Sequence, residues 1–188
     1  MIRGIVFDCF GVLTADLWHE FLADLPENVN TQAIIEVHRA YNAGRITKKE
    51  SHDQILTLAG KEFIEMEDMG HRDVAKNTSL LRYIQELAKT YKIGLLSNAA
   101  TNWVRDSFLT KEEQALFNTM VLSYEVGFNK PDQKMYATVC DRLELLPSEI
   151  LYVDDMLPYC EAAESLGMQA IQYLNFEQCK KAIEKATA

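Results

Sequence analysis

An α/β protein built on a parallel sheet is what this sequence predicts, and three observations carry the prediction. From Asn77 onward, short apolar runs alternate with segments of helical period. Such alternation implies parallel strands covered by helices on both faces. The chain also opens with an apolar run, Ile5-Val6-Phe7, that ends in Asp8. A buried parallel strand does this when it delivers its last side chain to the carboxyl edge of the sheet, where open α/β sheets place ligands. Between Ala15 and Lys76 the pattern is helical with no strand signal. Residues 1–14 and 77–188 are therefore expected to form the sheet-bearing core, and residues 15–76 a compact helical insertion.

The elements follow in order. Gly11, three residues after Asp8, permits a tight turn. Leu17, Trp18, Phe21, Leu22 and Leu25 recur at helical spacing until Pro26 stops them. Trp18 and Phe21 read as core of the insertion. Ile34, Ile35, His38 and Tyr41 repeat the pattern, and Asn42-Ala43-Gly44 supplies a stop. Thr47 and Glu50 fit a capping box opening a helix through Ile55, Leu56 and Ala59, which Gly60 ends. A short acidic segment from Glu62 to Asp68 reads as a solvated face.

Beyond the insertion, Thr78 or Ser79 caps a helix carrying Leu80, Leu81, Ile84 and Leu87. Lys92 to Leu96 is a second strand, ending in Ser97-Asn98. A helix through Trp103 and Phe108 leads to a third strand near Asn118 to Leu122. Asn129-Lys130-Pro131-Asp132 is a loop whose Asp132 caps the helix bearing Tyr136, Val139 and Leu143. Glu149 to Val153 is a fourth strand, terminating in Asp154-Asp155. Glu161 to Leu166 is helical, Gly167 ends it, and Gln169 to Gln172 is a last short strand.

Length and composition bound the function. A chain of 188 residues buries one core and a small inserted unit. Apolar residues at 48% and charged residues at 25% are ordinary for a soluble globular protein. A net charge of −9 argues against nucleic acid or an anionic membrane as the main partner, although an acidic protein still binds phosphates by recruiting a divalent cation. Cys9, Cys140, Cys160 and Cys179 lack paired short spacing, so neither a zinc site nor a disulfide framework is suggested; they read as small buried residues in a reducing compartment. No basic-then-apolar leader precedes the first strand, and no apolar run approaches ~20 residues. A cytoplasmic protein is expected.

Chemistry enters through convergence. In a parallel sheet the ends of the first, second and fourth strands lie along one edge, which brings together Asp8, Ser97-Asn98 and Asp154-Asp155. Lys130, in the loop beyond the third strand, reaches the same edge. Adjacent carboxylates repel, and a cation among them relieves the repulsion. All-oxygen ligands favour magnesium, which also binds phosphate. A hydroxyl, an amide and an ammonium complete a pocket for a phosphoryl group.

Phe-Asp8-Cys-Phe10-Gly-Val-Leu, Leu-Leu-Ser97-Asn98, Asn-Lys130-Pro-Asp and Val-Asp154-Asp155, the last followed by Glu-Ala-Ala-Glu-Ser-Leu-Gly-Met, resemble the four motifs of haloacid dehalogenase-like hydrolases, in order and spacing. The resemblance runs from the first strand to about Ile171. It implies a Rossmann-like, three-layer core, with the helical insertion as a small mobile cap like that of the family's first subclass. The small cap and the Ser-Asn second motif are similar to its epoxide-hydrolase-like and sugar-phosphate phosphatase branch. It implies further that Asp8 is the nucleophile, attacking phosphorus to give an aspartyl-phosphate that water cleaves. Magnesium would bind the Asp8 carboxylate, the Phe10 backbone carbonyl and Asp155, with Asp154 behind them or as an alternative ligand. Ser97, Asn98 and Lys130 would hold the transferring oxygens, Lys130 also shielding Asp8 from an anionic substrate. The implied partner is a small phosphorylated metabolite, bound by a monomer or homodimer.

One residue departs from that pattern. Phosphatases of the family carry a second aspartate two residues after the nucleophile, to protonate the leaving oxygen and activate water; here the position is Phe10. Positioned acid–base help is worth about 10²–10⁴-fold in rate, so slow or restricted turnover is expected unless the cap supplies the acid. His19, His38, His52 and His71 all lie in the insertion and read mainly as solvated or packed. Asp16 and His19, whose helix starts beside the active edge, are the candidates for a replacement. Two alternatives stand beside the phosphatase. One is a non-catalytic binding or regulatory module, to which Tyr159 points because relatives often have asparagine there. The other is a 2-haloacid dehalogenase, whose branch has an aromatic residue at the Phe10 position but replaces the acidic pair that this chain keeps.

Overall fold

The computed structural model describes residues 1–60 and 75–188. The acidic segment from Glu62 to Asp68, and His71, lie outside the described residues. Five strands form one sheet: β1 (Gly4–Phe7), β2 (Lys92–Ser97), β3 (Thr119–Leu122), β4 (Ile150–Asp154) and β5 (Gln169–Gln172). The order is β3-β2-β1-β4-β5, and every pairing is parallel. The α/β reading holds. This is the order of a doubly wound sheet, in which the chain builds outward from β1 on one side and then returns to build on the other. The reversal falls between β1 and β4, whose carboxyl ends carry Asp8 and Asp154.

Alternation of side chains sorts the strands between two cores. Ile5 and Phe7, Ile93 and Leu95, and Leu151 and Val153 face one side of the sheet. There they meet α4 (Thr78–Leu87), through Leu80, Leu81, Ile84 and Leu87, and α9 (Phe176–Ala186), through Cys179 and Ile183. Val6, Leu96 and Tyr152 face the other side, against Met135, Tyr136 and Val139 of α7 (Gln133–Leu143) and Ala163 of α8 (Leu157–Ser165). Burial on both faces explains why these strands read as continuous apolar runs.

The insertion contains α1 (Leu17–Asp24), α2 (Thr31–Asn42) and α3 (Lys48–Ala59). Phe21, Ile34, Ile55 and Ala59 form a hydrophobic cluster of their own, with Trp18 packed against it. The Thr47–Glu50 capping box is formed in both directions. Two bonds tie α2 to the sheet side: Ser123 Oγ donates to the Asn42 carbonyl at 2.7 Å, and Asn129 Nδ2 donates to the Arg39 carbonyl at 2.8 Å.

Several boundaries differ from the sequence reading. Asn77, one residue before the expected caps, starts α4, because its side chain accepts from the Leu80 N–H. The segment after Trp103 is a π-helical turn, Val104–Phe108, followed by a short α5 (Lys111–Gln114). A four-residue α6 (Ser123–Val126) follows β3 directly. Helix α8 begins at Leu157, with a proline in its first turn, rather than at Glu161. Helix α9 was not anticipated, although Asn175 caps it and its buried Cys179 and Ile183 sit four apart. No helix among the described residues is long and apolar enough to cross a membrane. All four cysteines are buried and free, as expected.

Candidate active site

Strands β1 and β4 lie in register with Phe7 opposite Val153. The next residue of each, Asp8 and Asp154, therefore leaves the sheet side by side. The Asp8 N–H continues the ladder, donating to the Val153 carbonyl at 2.9 Å. Lys130 is clamped between the two acids, its Nζ 2.9 Å from Asp8 Oδ1 and 2.7 Å from Asp154 Oδ2. All three are buried, with exposures of 5% for Asp8, 0% for Asp154 and 1% for Lys130. The Tyr152 hydroxyl donates to Asp154 Oδ2, and Asp154 Oδ1 accepts the Met156 N–H at 2.8 Å. The Tyr159 and Tyr152 rings flank the ammonium with centroids at 4.9 and 5.8 Å. Both oxygens of Asp154 are thus engaged in holding Lys130 and the following turn. Asp8 Oδ1 accepts from Lys130 and from the Cys9 N–H at 2.6 Å, while its Oδ2 has no hydrogen-bond partner among the described residues.

Asp155 completes the acidic cluster: one oxygen from each of Asp8, Asp154 and Asp155 lies within 4.8 Å of the others. Asp155 Oδ1 is buried and has no hydrogen-bond partner among the described residues. Burial, then the charge of Asp154, pushes the Asp155 carboxyl up to about 6. Burial also raises Asp8 well above the usual carboxylate range; Lys130 opposes this, and Asp154 and Asp155 add to it. Burial disfavours the Lys130 charge, but Asp154 and Asp8 outweigh it and hold the ammonium protonated above its ordinary range. Two carboxyls raised in this way mark a cluster short of positive charge.

The donors suit a divalent ion. The orphaned Asp155 Oδ1 and the open Asp8 Oδ2 are joined by the Phe10 carbonyl, which accepts no backbone hydrogen bond among the described residues. An all-oxygen set of this kind fits magnesium. Gly11 does more here than permit a turn. At φ +85°, a Cβ on it would lie 2.3 Å from the Asp155 carboxylate, so the glycine also makes the space that Asp155 occupies.

Ser97, the last residue of β2, is fully buried and its Oγ has no partner among the described residues. A buried hydroxyl without a partner is a site waiting for one. Asn98 is held against the Lys130 backbone. Its Oδ1 accepts from the Lys130 N–H at 2.7 Å, and its Nδ2 donates to the Lys130 carbonyl at 3.2 Å. Its amide clasps the Lys130 backbone, and through it the ammonium. Tyr152 was not anticipated as part of the site, although its spacing of two from Asp154 along a strand puts both on one face. Tyr159 supports Lys130 with its ring and accepts from Asn98 Nδ2 at 3.4 Å.

Above Asp8 lies a cavity of about 580 Å³, walled by the sheet edge below and by α1, α2 and α3 above. Phe10 is on its wall, stacked on Trp103 with centroids 5.7 Å apart and planes at 18°. Asp16, Trp18, His19 and His38 also line the cavity. Trp18 thus belongs both to the insertion's core and to the cavity, while Phe21 is core alone.

Two buried acids bridged by a lysine, with a third acid beside them, thus stand at the reversal point of a parallel sheet. The model of the haloacid dehalogenase-like hydrolase family matches residues 2–167, and the chain belongs to that family. It is similar to D-ribitol-5-phosphate phosphatase from Bacteroides thetaiotaomicron, with 26% identity over 92% of each chain. It is also similar to the phosphorylated carbohydrates phosphatase of Thermotoga maritima, with 24% identity over 84% of this chain and 68% of that one. A crystal structure of a family enzyme from B. thetaiotaomicron superimposes with a TM-score of 0.75 at 21% identity, covering 97% of this chain and 98% of that one. The protein is a hydrolase of the phosphatase kind.

Proposed function

We propose that the protein is a magnesium-dependent phosphohydrolase that cleaves a small phosphorylated metabolite through an aspartyl-phosphate. The observation that carries this reading is Asp8, anchored through one oxygen by Lys130 and the Cys9 N–H, in a cluster with Asp155, whose Oδ1 has no hydrogen-bond partner among the described residues. The contacts of Lys130 and the Cys9 N–H fix the orientation of the carboxylate that would attack phosphorus in line. Asp8, Asp155 and the Phe10 carbonyl would hold magnesium, which when bound supplies positive charge to the phosphoryl oxygens and to the raised carboxyls. Lys130 and Ser97 Oγ would receive phosphoryl oxygens from the protein side, with Asn98 and Asp154 positioning Lys130.

Support comes from relatives. The two phosphatases above act on phosphorylated polyols or carbohydrates by name, and the B. thetaiotaomicron enzyme has been crystallised with magnesium and inorganic phosphate. Residues 15–76 are read as a cap that closes the cavity, with the chain acting in the cytoplasm as a monomer or homodimer. The test is hydrolysis of p-nitrophenyl phosphate. Activity is expected to require magnesium and to vanish in Asp8→Asn. Turnover that survives a chelator, or persists in Asp8→Asn, refutes the reading.

A further inference from the structure

We propose that His19, oriented by Asp16, is the acid and base that the first strand lacks at Phe10. The inference rests on the phosphohydrolase reading and adds to it the group that serves the leaving oxygen. Asp16 is the N-cap of α1: its Oδ1 accepts from the His19 N–H at 3.0 Å, and its Oδ2 pairs with His19 Nδ1 at 2.5 Å. A carboxylate on Nδ1 fixes the ring and places the exchangeable proton on Nε2, the arrangement general acid–base histidines use. Nε2 has no partner among the described residues, and His19 lines the cavity that Asp8 and Phe10 also line.

Charge agrees with geometry. The bond to Asp16 raises the His19 imidazolium above its ordinary range; burial opposes it, and the charges of Asp16, Asp155 and Asp8 add to it. The shift favours the protonated ring, the form that has a proton to give. Around the cavity it shares space with Asp8 and Asp155 of the core, His38 and Arg39 of α2, and Lys48 and His52 of α3. His38 does not compete for the role. Its ring lies on Trp18 with centroids 3.5 Å apart, its Nδ1 is met by Asn42 Nδ2, and burial pushes it down to about 3.

The chemistry balances. As an Asp8 oxygen bonds to phosphorus, the bond from phosphorus to the ester oxygen breaks. That oxygen keeps the electron pair and takes the proton from His19 Nε2, leaving as an alcohol. In the second half, a water bonds to phosphorus and gives its proton to the now neutral Nε2. The bond to Asp8 breaks, the carboxylate is restored and phosphate departs.

The test compares p-nitrophenyl phosphate, whose leaving group needs no proton, with a panel of alkyl monophosphates at saturating magnesium. In His19→Asn, kcat/KM for the alkyl esters is expected to fall about 10²-fold or more, and for the nitrophenyl ester less than about tenfold. The kcat of both falls, because water has lost its base. Phe10→Asp introduced into His19→Asn restores alkyl turnover. Asp16→Asn keeps the cap but lowers the His19 titration midpoint, read by NMR of its ring protons. The alkaline limb of the alkyl kcat/KM profile moves to lower pH with it. Equal losses for both ester classes, a titration unmoved by Asp16→Asn, or a wild type inert to every alkyl ester overturns the proposal and leaves the phosphohydrolase standing. A wild type without magnesium-dependent nitrophenyl phosphatase activity overturns both.

Discussion

Lys130→Met asks what the buried lysine is worth. Its ammonium sits 2.9 Å from Asp8 and 2.7 Å from Asp154, and none of the three side chains is more than 7% exposed. At an effective dielectric constant of about 20, each contact supplies about 6 kcal/mol of attraction. Most of that is spent on desolvating three charges, so the pair is not worth the sum. Methionine fills the volume of the stem and leaves two buried carboxyls facing each other. Removing one partner of a buried ion pair costs about 3–5 kcal/mol. In urea, with a slope of about 2 kcal/mol/M, the midpoint should fall by about 1.5–2.5 M at pH 7. The variant recovers part of this loss as pH falls, because Asp8, its carboxyl already raised by burial, takes up a proton and the repulsion goes with its charge. Adding Asp154→Asn recovers part of it at pH 7 by deleting one charge. A loss below about 1 kcal/mol, the range of a surface ion pair, would refute the claim that this lysine neutralises a desolvated cluster.

Two further outcomes follow from the acidic cluster. Gly11→Ala meets both a left-handed backbone at φ +85° and the Asp155 carboxylate at 2.3 Å; it should cost about 1–2 kcal/mol for the backbone and weaken magnesium binding at least about tenfold, or 1.4 kcal/mol. Calorimetry showing unchanged affinity would refute the spacing argument. In the metal-free protein Asp155 titrates at about 6 and Asp8 also above its ordinary value, so the folded chain holds more protons than the unfolded one. The Asp155 contribution is fully present below about pH 4 and is lost as pH rises through about 6, and Asp8 adds to it with the same sign. Saturating magnesium, which binds the deprotonated acids, should reverse this slope. Melting temperatures across that window check it, and identical slopes for wild type and Asp155→Asn would refute the assignment.

Much of this was legible in the sequence, for identifiable reasons. Residues such as Ile5, Leu95 and Val153 sit in strands buried on both sides, so their runs were unbroken and their polar ends stood out. Asp8, Lys130, Asp154 and Asp155 could be assembled because parallel strands place their carboxyl ends together whatever the distance in sequence. Pairing was not legible: nothing in Ile150–Asp154 says that it lies beside β1 rather than beyond β3. Caps were legible only where one residue could serve, as at Thr47; at Asn77-Thr78-Ser79 three could, and side-chain reach decided. The bonds of Asn98 to the Lys130 backbone and the place of Tyr152 beside Asp154 were not legible, because support of that kind has no spacing signature.

The arrangement around Lys130 also bears on whether the site is used. A buried ion pair is a poor way to stabilise a fold, since well-packed apolar residues of similar volume often do as well or better. Here the chain desolvates two acids and a lysine, flanks the lysine with two tyrosines, and leaves Ser97 Oγ and Asp155 Oδ1 buried without partners among the described residues. Each orphan carries a desolvation cost of about 1–3 kcal/mol. A module that only kept the fold would gain by filling these positions with valine or leucine. A protein that binds a cation and a phosphoryl group gains by keeping them, because the ligand supplies the missing partners. Phe10 does not weaken this argument: the group proposed to face the metal at that position is the backbone carbonyl, which any side chain preserves. In the proposed reaction, Phe10 lacks only the proton transfer to the leaving oxygen, and the Asp16–His19 pair lines the same cavity.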